Sequence, residues 1–296
     1  MGTRRRLTRG QAILAAVAVV AGVAVAATGI VLGNQPEPVE PPRIVAAPEP
    51  SVAPVEDPGF AANTEVYALA ALPTVNVFSL ARSLPVDDNP GGDVLDLFAT
   101  PHDPGAPLFA DPTEAPVGTF AAQFQYDGTT VPVMEKQANW VRVMVSGRAG
   151  LPSEGIVGQL TAWMRTADVE LTSNTLSVQV SLTGSRIAIL DGDTVVYETG
   201  SFAIGAPATP TPVGRTFIMT SRPDAGAGYT RGHPLVYLGV QSETLDGFNG
   251  ANNAITAFHY HDARSGAISN GCLRVDVEAI TQLAALPLGT PVFILP

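Results

Sequence analysis

The single cysteine of the chain, Cys272, follows a histidine, His259, by thirteen residues, and this pair could perform nucleophilic chemistry. A thiol is mostly protonated near neutral pH, and an imidazole within reach can take its proton. A lone cysteine has no partner for an internal disulfide, so its other ordinary role is that of a small buried hydrophobic residue. The residues around Cys272 and His259 distinguish between these two interpretations.

The cysteine lies in the run Ser269-Asn270-Gly271-Cys272-Leu273-Arg274, and the histidine ends an apolar, strand-like run. A glycine before a nucleophile permits a tight turn, and the backbone N–H groups of Gly271 and Cys272 could stabilise an oxyanion. Arg274 suits either the carboxylate of a substrate or a local structural pair, and the sequence leaves both open. The pattern favours a cysteine nucleophile over an inert thiol.

His261 is a second possible base, because residues i and i+2 of a strand share one face. We prefer His259 because it ends the apolar strand and lies farther from Cys272 in sequence. A metal site of His259, His261 and Asp262 with the distant His233 is an alternative, since His-x-His pairs bind zinc. It leaves the Gly-Cys-Leu-Arg run unexplained, so we expect no metal and no cofactor. A papain-like order is excluded because no histidine follows Cys272.

The N-terminal residues 1–33 predict a cytoplasmic tail and a transmembrane anchor. Arg4, Arg5, Arg6 and Arg9 precede an uncharged run, 12–32, which as a helix would span about 30 Å. Positive charge before the run keeps the N-terminus cytoplasmic, with the rest of the chain exported. A cleavable signal ending near Ala24-Val25-Ala26 is the alternative, but the apolar run continues beyond it.

Residues 34–59 are rich in Pro, Glu, Val and Ala, which predicts an extended linker reaching about 75 Å from the membrane. The formal net charge of the whole chain is −11. Because the first 33 residues are basic, the exported part is more acidic than this total. Such a charge excludes nucleic acid as a partner.

Residues 60–168 predict a small β module, because short apolar runs alternate with Pro, Gly and Asp. We expect strands at 75–78, 131–134 and 140–144. The stretch 133–143, followed by Trp163, resembles the bacterial SH3-like modules of cell-wall enzymes. Otherwise Trp140 and Trp163 are simply core aromatic residues.

Residues 169–296 show the clearest period-two alternation and predict a β-sandwich with one packed helix. The hairpin signal Asp191-Gly192-Asp193 lies between two predicted strands. Asp276 can cap a helix whose apolar stripe is Val277, Ile280, Leu283 and Ala284. Further strands are expected at 176–182, 186–190, 195–197, 217–219, 235–238, 254–258 and 291–295. The chain is therefore predicted to be mainly β.

Residues 171–296 resemble the L,D-transpeptidase catalytic domain of the YkuD type, found in cell-wall enzymes that join peptidoglycan stem peptides. The turn 205–217 is similar to the family's Gly…Thr-Pro-x-Gly-x-Phe motif, and 255–259 is similar to its strand ending in the catalytic histidine. The run 269–274 is similar to its Ser-His-Gly-Cys-hydrophobic-Arg signature. Upstream SH3-like modules are common in actinobacterial members.

This resemblance implies that Cys272 is the nucleophile and His259 the base. The base would be oriented by the carbonyl of Tyr260, with Asp262 as a local alternative, and Gly271 would support the oxyanion. We expect substrate contacts from Ser269, Asn270, His261 and Arg274. The implied reaction is a cysteine acyl transfer that forms 3→3 cross-links between stem peptides. Carbapenem β-lactams are the implied covalent inhibitors.

Three departures from the family pattern leave other functions open. Asn270 replaces a histidine, Tyr260 replaces the glycine after the catalytic histidine, and the segment between His259 and Cys272 is shorter. A catalytically impaired, cell-wall-binding scaffold is the main alternative. Water as acceptor would instead give a carboxypeptidase, and another amine a protein-attaching enzyme.

Overall fold

The computed structural model describes residues 59–248 and 250–296. The predicted tail and anchor, 1–33, and the predicted linker, 34–59, lie outside these residues apart from Gly59. Within the described part of the chain, no helix is both long and apolar enough to cross a membrane.

The upstream part of the described chain is built from short antiparallel strands. They are β1 (Leu97–Pro101), β2 (Gly105–Leu108), β3 (Gly118–Ala121), β4 (Val131–Lys136), β5 (Trp140–Val145), β6 (Leu160–Arg165) and β7 (Val169–Ser173). Five of them form a sheet in the order β6-β5-β4-β1-β7, while β2 pairs with β3. Since β7 pairs with β1, this sheet extends past the predicted boundary at residue 168.

The downstream part forms a ten-stranded mixed sheet with the order β10-β9-β8-β17-β12-β13-β14-β16-β11-β15. Its strands are β8 (Leu176–Ser181), β9 (Arg186–Asp191), β10 (Thr194–Thr199), β11 (Ala203–Gly205), β12 (Gly214–Arg222), β13 (Leu235–Gln241), β14 (Ile255–Tyr260), β15 (Gly266–Ser269), β16 (Leu273–Val275) and β17 (Pro291–Leu295). The described residues are thus mainly β, as the alternation of apolar residues predicts.

One α-helix, α1 (Val277–Ala284), is present in the described residues and packs on this sheet. The Asp276 carboxylate accepts a hydrogen bond of 2.8 Å from the Ala279 N–H, which is the N-cap contact that the sequence predicts. Ile280 and Leu283 are fully buried, whereas Val277, the first residue of the helix, is exposed. The predicted apolar stripe therefore holds except at its first residue.

The strand predicted at 75–78 is wrong, because these residues form a turn. The side chain of Asn76 accepts a hydrogen bond of 2.9 Å from the Phe78 N–H, and the Ser79 N–H donates to the Asn76 carbonyl. Asparagine favours this local bonding over a strand ladder. The turn brings Val77 and Phe78 toward the downstream sheet.

Two hydrophobic cores meet at β12. Alternate residues of this strand point to opposite faces, so Phe217 and Met219 join the upstream core while Ile218 joins the downstream one. The buried guanidinium of Arg215, on the same strand, pairs with the Asp87 carboxylate through contacts of 2.8 and 2.9 Å. A single strand therefore supports both parts of the chain.

Candidate functional site

The parallel pairing of β14 and β16 brings the predicted nucleophile and base together. His259 lies opposite Arg274, and Phe258 lies opposite Leu273. Cys272 directly precedes β16, so it lies beside β14, whose next-to-last residue is His259. Cys272 and His259 both line one cavity of about 270 Å³.

The imidazole of His259 is held in one orientation by the backbone. Its Nδ1 lies 2.9 Å from the carbonyl oxygen of Tyr260. Because a carbonyl oxygen only accepts, Nδ1 carries a proton, and the neutral ring keeps its lone pair on Nε2. Burial lowers the pKa of His259, and the charge of Arg274 and the neighbouring His261 act in the same direction, against the contact with Tyr260. The ring is therefore neutral and available as a base at neutral pH.

The thiol of Cys272 is half-buried and protonated at neutral pH. Burial raises the pKa of the Cys272 thiol, while the Ala257 N–H and the Arg274 charge oppose that rise. Cys272 Sγ also lies 4.0 Å from the Ile255 carbonyl oxygen. The resting pair is thus a neutral thiol and a neutral imidazole.

The turn before Cys272 is fixed by Ser269 and Gly271. The Ser269 hydroxyl donates to the Cys272 carbonyl at 2.5 Å and accepts from the Gly271 N–H at 3.2 Å. Gly271 has φ +105°, a conformation that a residue with a Cβ rarely adopts. The Thr209 hydroxyl also donates to the Ser269 carbonyl at 3.0 Å. Ser269 is buried and supports this turn, so its contact with substrate stays a prediction.

The two predicted oxyanion donors differ in whether they are already engaged. The Gly271 N–H donates to the Ser269 hydroxyl within the turn. The other predicted donor is the Cys272 N–H. Asn270 is exposed at the rim of the same cavity. The replacement of a histidine by Asn270 therefore leaves the Ser269 contacts that support the turn in place.

Arg274 and His261 also line the cavity that holds Cys272. Among the described residues, the buried Nε of Arg274 has no hydrogen-bond partner. A guanidinium that lines a cavity and whose Nε has no local partner suits an anionic substrate group more than the local pair that the sequence left open. His261 accepts a hydrogen bond of 2.9 Å from the Ala263 N–H through its Nδ1, which orients the ring toward the cavity.

The side chain of Tyr260, which replaces the glycine of the family pattern, does not line the cavity that holds Cys272 and His259. Successive side chains of a strand point to opposite faces, so Tyr260 faces away from the side shared by His259 and His261. It joins the downstream core, and its hydroxyl donates to Asp262 at 2.7 Å. Only its backbone carbonyl takes part in the site.

The alternative metal site is not assembled. Asp262 is engaged by the Tyr260 hydroxyl and by Arg231, and His233 packs on the ring of Tyr260 rather than beside His259. Within the described residues, no group of three His, Cys, Asp or Glu side chains could hold a metal ion.

Tyr229 and Phe248 complete the surroundings of Cys272, and the sequence did not point to either. Both line the cavity that contains His259, and both also line a second cavity of about 310 Å³ that shares Cys272. The ring of Tyr229 lies edge-on to His259, with 5.1 Å between the ring centres. Tyr229 lies in a single 3-10 turn, Gly228–Thr230, and Phe248 lies in a loop, so no periodic pattern marks either residue.

The second cavity is closed partly by the upstream residues Val77, Phe78 and Tyr126. Phe78 and Tyr126 contact each other edge to face, with 5.1 Å between their ring centres. Cys272 thus lies between a polar cavity with the histidines and a more apolar cavity with an upstream wall. The thiol can therefore be reached from either cavity.

Comparison with known proteins identifies the downstream part. The family model of the L,D-transpeptidase catalytic domain, YkuD, matches residues 176–294. No curated protein matches the chain. The match begins after the upstream strands, so the SH3-like character of residues 60–168 stays a prediction.

Several solved structures are similar to the chain. The catalytic domain of an E. faecium L,D-transpeptidase is 20% identical, with 40% of this chain and 95% of that chain covered and a TM-score of 0.28. An L,D-transpeptidase from Mycobacterium smegmatis is 9% identical, with 53% and 91% covered and a TM-score of 0.31. Mycobacterium tuberculosis L,D-transpeptidase 1 is 15% identical, with 46% and 78% covered and a TM-score of 0.29.

The family model and the sequence motifs agree on the same segment, which contains the cavity, Cys272 and His259. Residues 176–294 are thereby confirmed as a match to the YkuD-type L,D-transpeptidase catalytic domain.

Proposed function

We propose that this protein is a peptidoglycan L,D-transpeptidase that forms 3→3 cross-links through a Cys272 acyl-enzyme. The family match supports a transpeptidase role. The observation that carries the proposal is that Cys272 shares a cavity with His259, whose Nδ1 is held 2.9 Å from the Tyr260 carbonyl. The specific stem-peptide substrate follows from the family resemblance.

The first step is acylation. His259 Nε2 takes the thiol proton as Cys272 Sγ bonds to the carbonyl carbon of the diamino acid in a tetrapeptide stem. The Cys272 N–H stabilises the developing oxyanion. The C–N bond to the terminal D-alanine then breaks, and the imidazolium gives its proton to the leaving amine. D-alanine departs and a thioester remains.

The second step is transfer. The side-chain amine of a second stem attacks the thioester carbonyl, and His259 takes a proton from that amine. The C–S bond breaks, the proton returns to Cys272 Sγ, and the new amide joins two stems. The thiol and the neutral imidazole are regenerated, so the reaction needs no cofactor.

Arg274 provides the charge that would recognise the anionic stem peptide. Arg274 lines the cavity, and its buried Nε has no hydrogen-bond partner among the described residues. A guanidinium can bind a carboxylate through two parallel hydrogen bonds. Asn270 and His261 line the same cavity, which supports the proposal that they contact the peptide backbone.

The proposed location follows from the sequence. Residues 1–33 anchor the protein in the cytoplasmic membrane with the N-terminus inside, and residues 34–59 carry the catalytic part into the cell wall. The SH3-like module, 60–168, then lies between the linker and the catalytic domain, 169–296.

A catalytically impaired cell-wall scaffold is the second candidate. It is favoured by the resting contact of Cys272 Sγ with the Ile255 carbonyl, and by the Gly271 N–H being engaged within the turn. In that case the cavity would bind a stem peptide without cleaving it.

Reaction with a carbapenem separates the two candidates. The purified full-length chain and a Cys272→Ala variant are incubated with the inhibitor, and intact masses are recorded. A transpeptidase gains the mass of one inhibitor molecule, because the thiol opens the lactam ring, and the variant gains nothing. A folded native chain that gains no mass would favour the scaffold.

A further inference from the structure

A single upstream arginine, Arg148, joins two walls of the cavities beside Cys272. It is 5% exposed, and its guanidinium reaches the loop that follows β13, residues 242–248. It donates to the carbonyl oxygens of Ser242 at 2.8 Å, Leu245 at 2.7 Å and Asp246 at 2.6 Å. These bonds are charge-assisted and short, so they hold the loop firmly.

The backbone of Arg148 holds the other wall. Its N–H donates to the Ser79 carbonyl at 3.1 Å, and its carbonyl accepts from the Ala81 N–H at 2.6 Å. Ser79 directly follows Phe78, which lines the second cavity. One residue therefore fixes the turn that carries Phe78 and the loop that carries Phe248.

Two further contacts cross between the same parts of the chain. The Gln241 side-chain amide donates to the Val77 carbonyl at 2.8 Å, and the Ser153 N–H donates to the Asp246 carboxylate at 2.9 Å. The Ser153 contact ties the 242–248 loop itself to an upstream residue, and the Gln241 contact fixes the end of β13, from which the loop begins.

The loop also donates to downstream residues, from the Ser242 N–H to the Ala254 carbonyl at 2.8 Å and from the Phe248 N–H to the Asn253 carbonyl at 3.1 Å. Upstream and downstream contacts therefore position it together, and Arg148 supplies the largest share of the upstream ones.

The position of this loop matters because Phe248 lines both cavities that share Cys272. A shift of this aromatic ring would change the space on either side of the thiol. Replacing Arg148 with an apolar residue would leave three inward-facing carbonyls without their donor, which favours opening of the loop.

We propose that Arg148 is a positioning residue that sets the spacing of the two walls around Cys272 and so makes the upstream module part of the substrate site. The module then acts on substrate binding, beyond any role in attachment to the cell wall. The effect on the cross-linking reaction rests on the proposed function, whereas the effect on the loop does not.

The test compares Arg148→Met and Arg148→Lys with native protein, all as full-length chains, and uses Arg82→Met as the matched control. Arg82 belongs to the same upstream part, but it is exposed and pairs only with Glu154. The measurements are amide hydrogen exchange at Leu245 and Phe248, KM and kcat for a tetrapeptide stem, and the alkylation rate of Cys272 by iodoacetamide.

We expect Arg148→Met to speed exchange of both loop amides about tenfold or more. We expect KM to rise about fivefold while kcat stays within about twofold of native, because the loop shapes the space that a bound peptide fills. Alkylation should also stay within about twofold, because iodoacetamide is much smaller than a peptide and does not fill that space. Arg148→Lys, which keeps the charge but loses the planar fork, falls between native and Arg148→Met. The Arg82→Met control matches native protein.

A folded Arg148→Met variant whose loop exchange and KM equal those of the Arg82→Met control would overturn the proposal. If native protein shows no turnover, the proposed function fails, and the exchange comparison still decides the role of Arg148. If neither Arg148 variant folds, exchange in native protein decides: the Leu245 and Phe248 amides must be as protected as that of Arg148. Exchange as fast as at the exposed turn amide of Gly226 would overturn the proposal.

Discussion

His259 and Cys272 form a pair that rests in the neutral state, and this determines how acylation depends on pH. The base works only when its imidazole is neutral, that is, above its pKa. Burial, Arg274 and His261 together lower the pKa of His259. The acid limb of the acylation rate should therefore have its midpoint below about 6.5, the ordinary histidine value.

This pH dependence is measured from the second-order rate of carbapenem acylation. Arg274→Met serves as the comparison, because removing the positive charge should shift the midpoint upward toward the ordinary value. A native midpoint above the ordinary value, or one that Arg274→Met lowers, would contradict this account of the base.

The pair Cys272 and His259 was predictable from the sequence because motif and spacing identify both residues, although their catalytic roles stay predictions. The contribution of Tyr229 and Phe248 was not predictable. Tyr229 lies in a short 3-10 turn and Phe248 in a loop, and both approach the thiol only through tertiary contacts. No local pattern separates them from other exposed aromatic residues. The role of Arg148 was not predictable for the same reason, since its partners are backbone carbonyls about a hundred residues away in the sequence.

At the level of elements, the strands of the downstream sheet were predictable because each buries one face and alternates accordingly. The turn at 75–78 was not, because Val-Asn-Val-Phe has strand-like composition while the side chain of Asn76 forms the local bond that makes a turn. Local side-chain bonding outweighs β propensity there.

Helix α1 provides a prediction at this scale. Asp276→Ala removes the carboxylate that accepts from Ala279, and should lower the free energy of unfolding by about 0.5–2 kcal/mol. Chemical denaturation measures the change. Thr281→Ala, on the exposed face of the same helix, is the comparison and should cost less. An Asp276→Ala variant as stable as native protein would show that the cap contributes nothing.

At the scale of the whole molecule, β12 lies in both hydrophobic cores, so the two parts should unfold together. Both tryptophans lie upstream, whereas the cysteine lies downstream. Tryptophan fluorescence and the reactivity of Cys272 should therefore report the same urea midpoint. Two separate midpoints would mean that the parts are independent despite the shared strand.

The buried pair of Arg215 and Asp87 links the same two parts. Arg215→Ala would leave the Asp87 carboxylate buried without its cation, at a cost of about 3–5 kcal/mol in the free energy of unfolding. Arg186→Ala, which breaks an exposed pair with Glu198, should cost about 1 kcal/mol or less. Equal losses in the two variants would show that the buried pair does not join the parts.

The central claim is acyl transfer by Cys272, and product analysis tests it most directly. The full-length chain is incubated with a tetrapeptide stem as donor and a second stem as acceptor, and the products are sequenced by tandem mass spectrometry. We predict a dimer joined between the third residues of both stems, with one D-alanine released per dimer, and no dimer from Cys272→Ala. Equal dimer formation by the native chain and by Cys272→Ala, or its absence with a folded native chain, would contradict the claim.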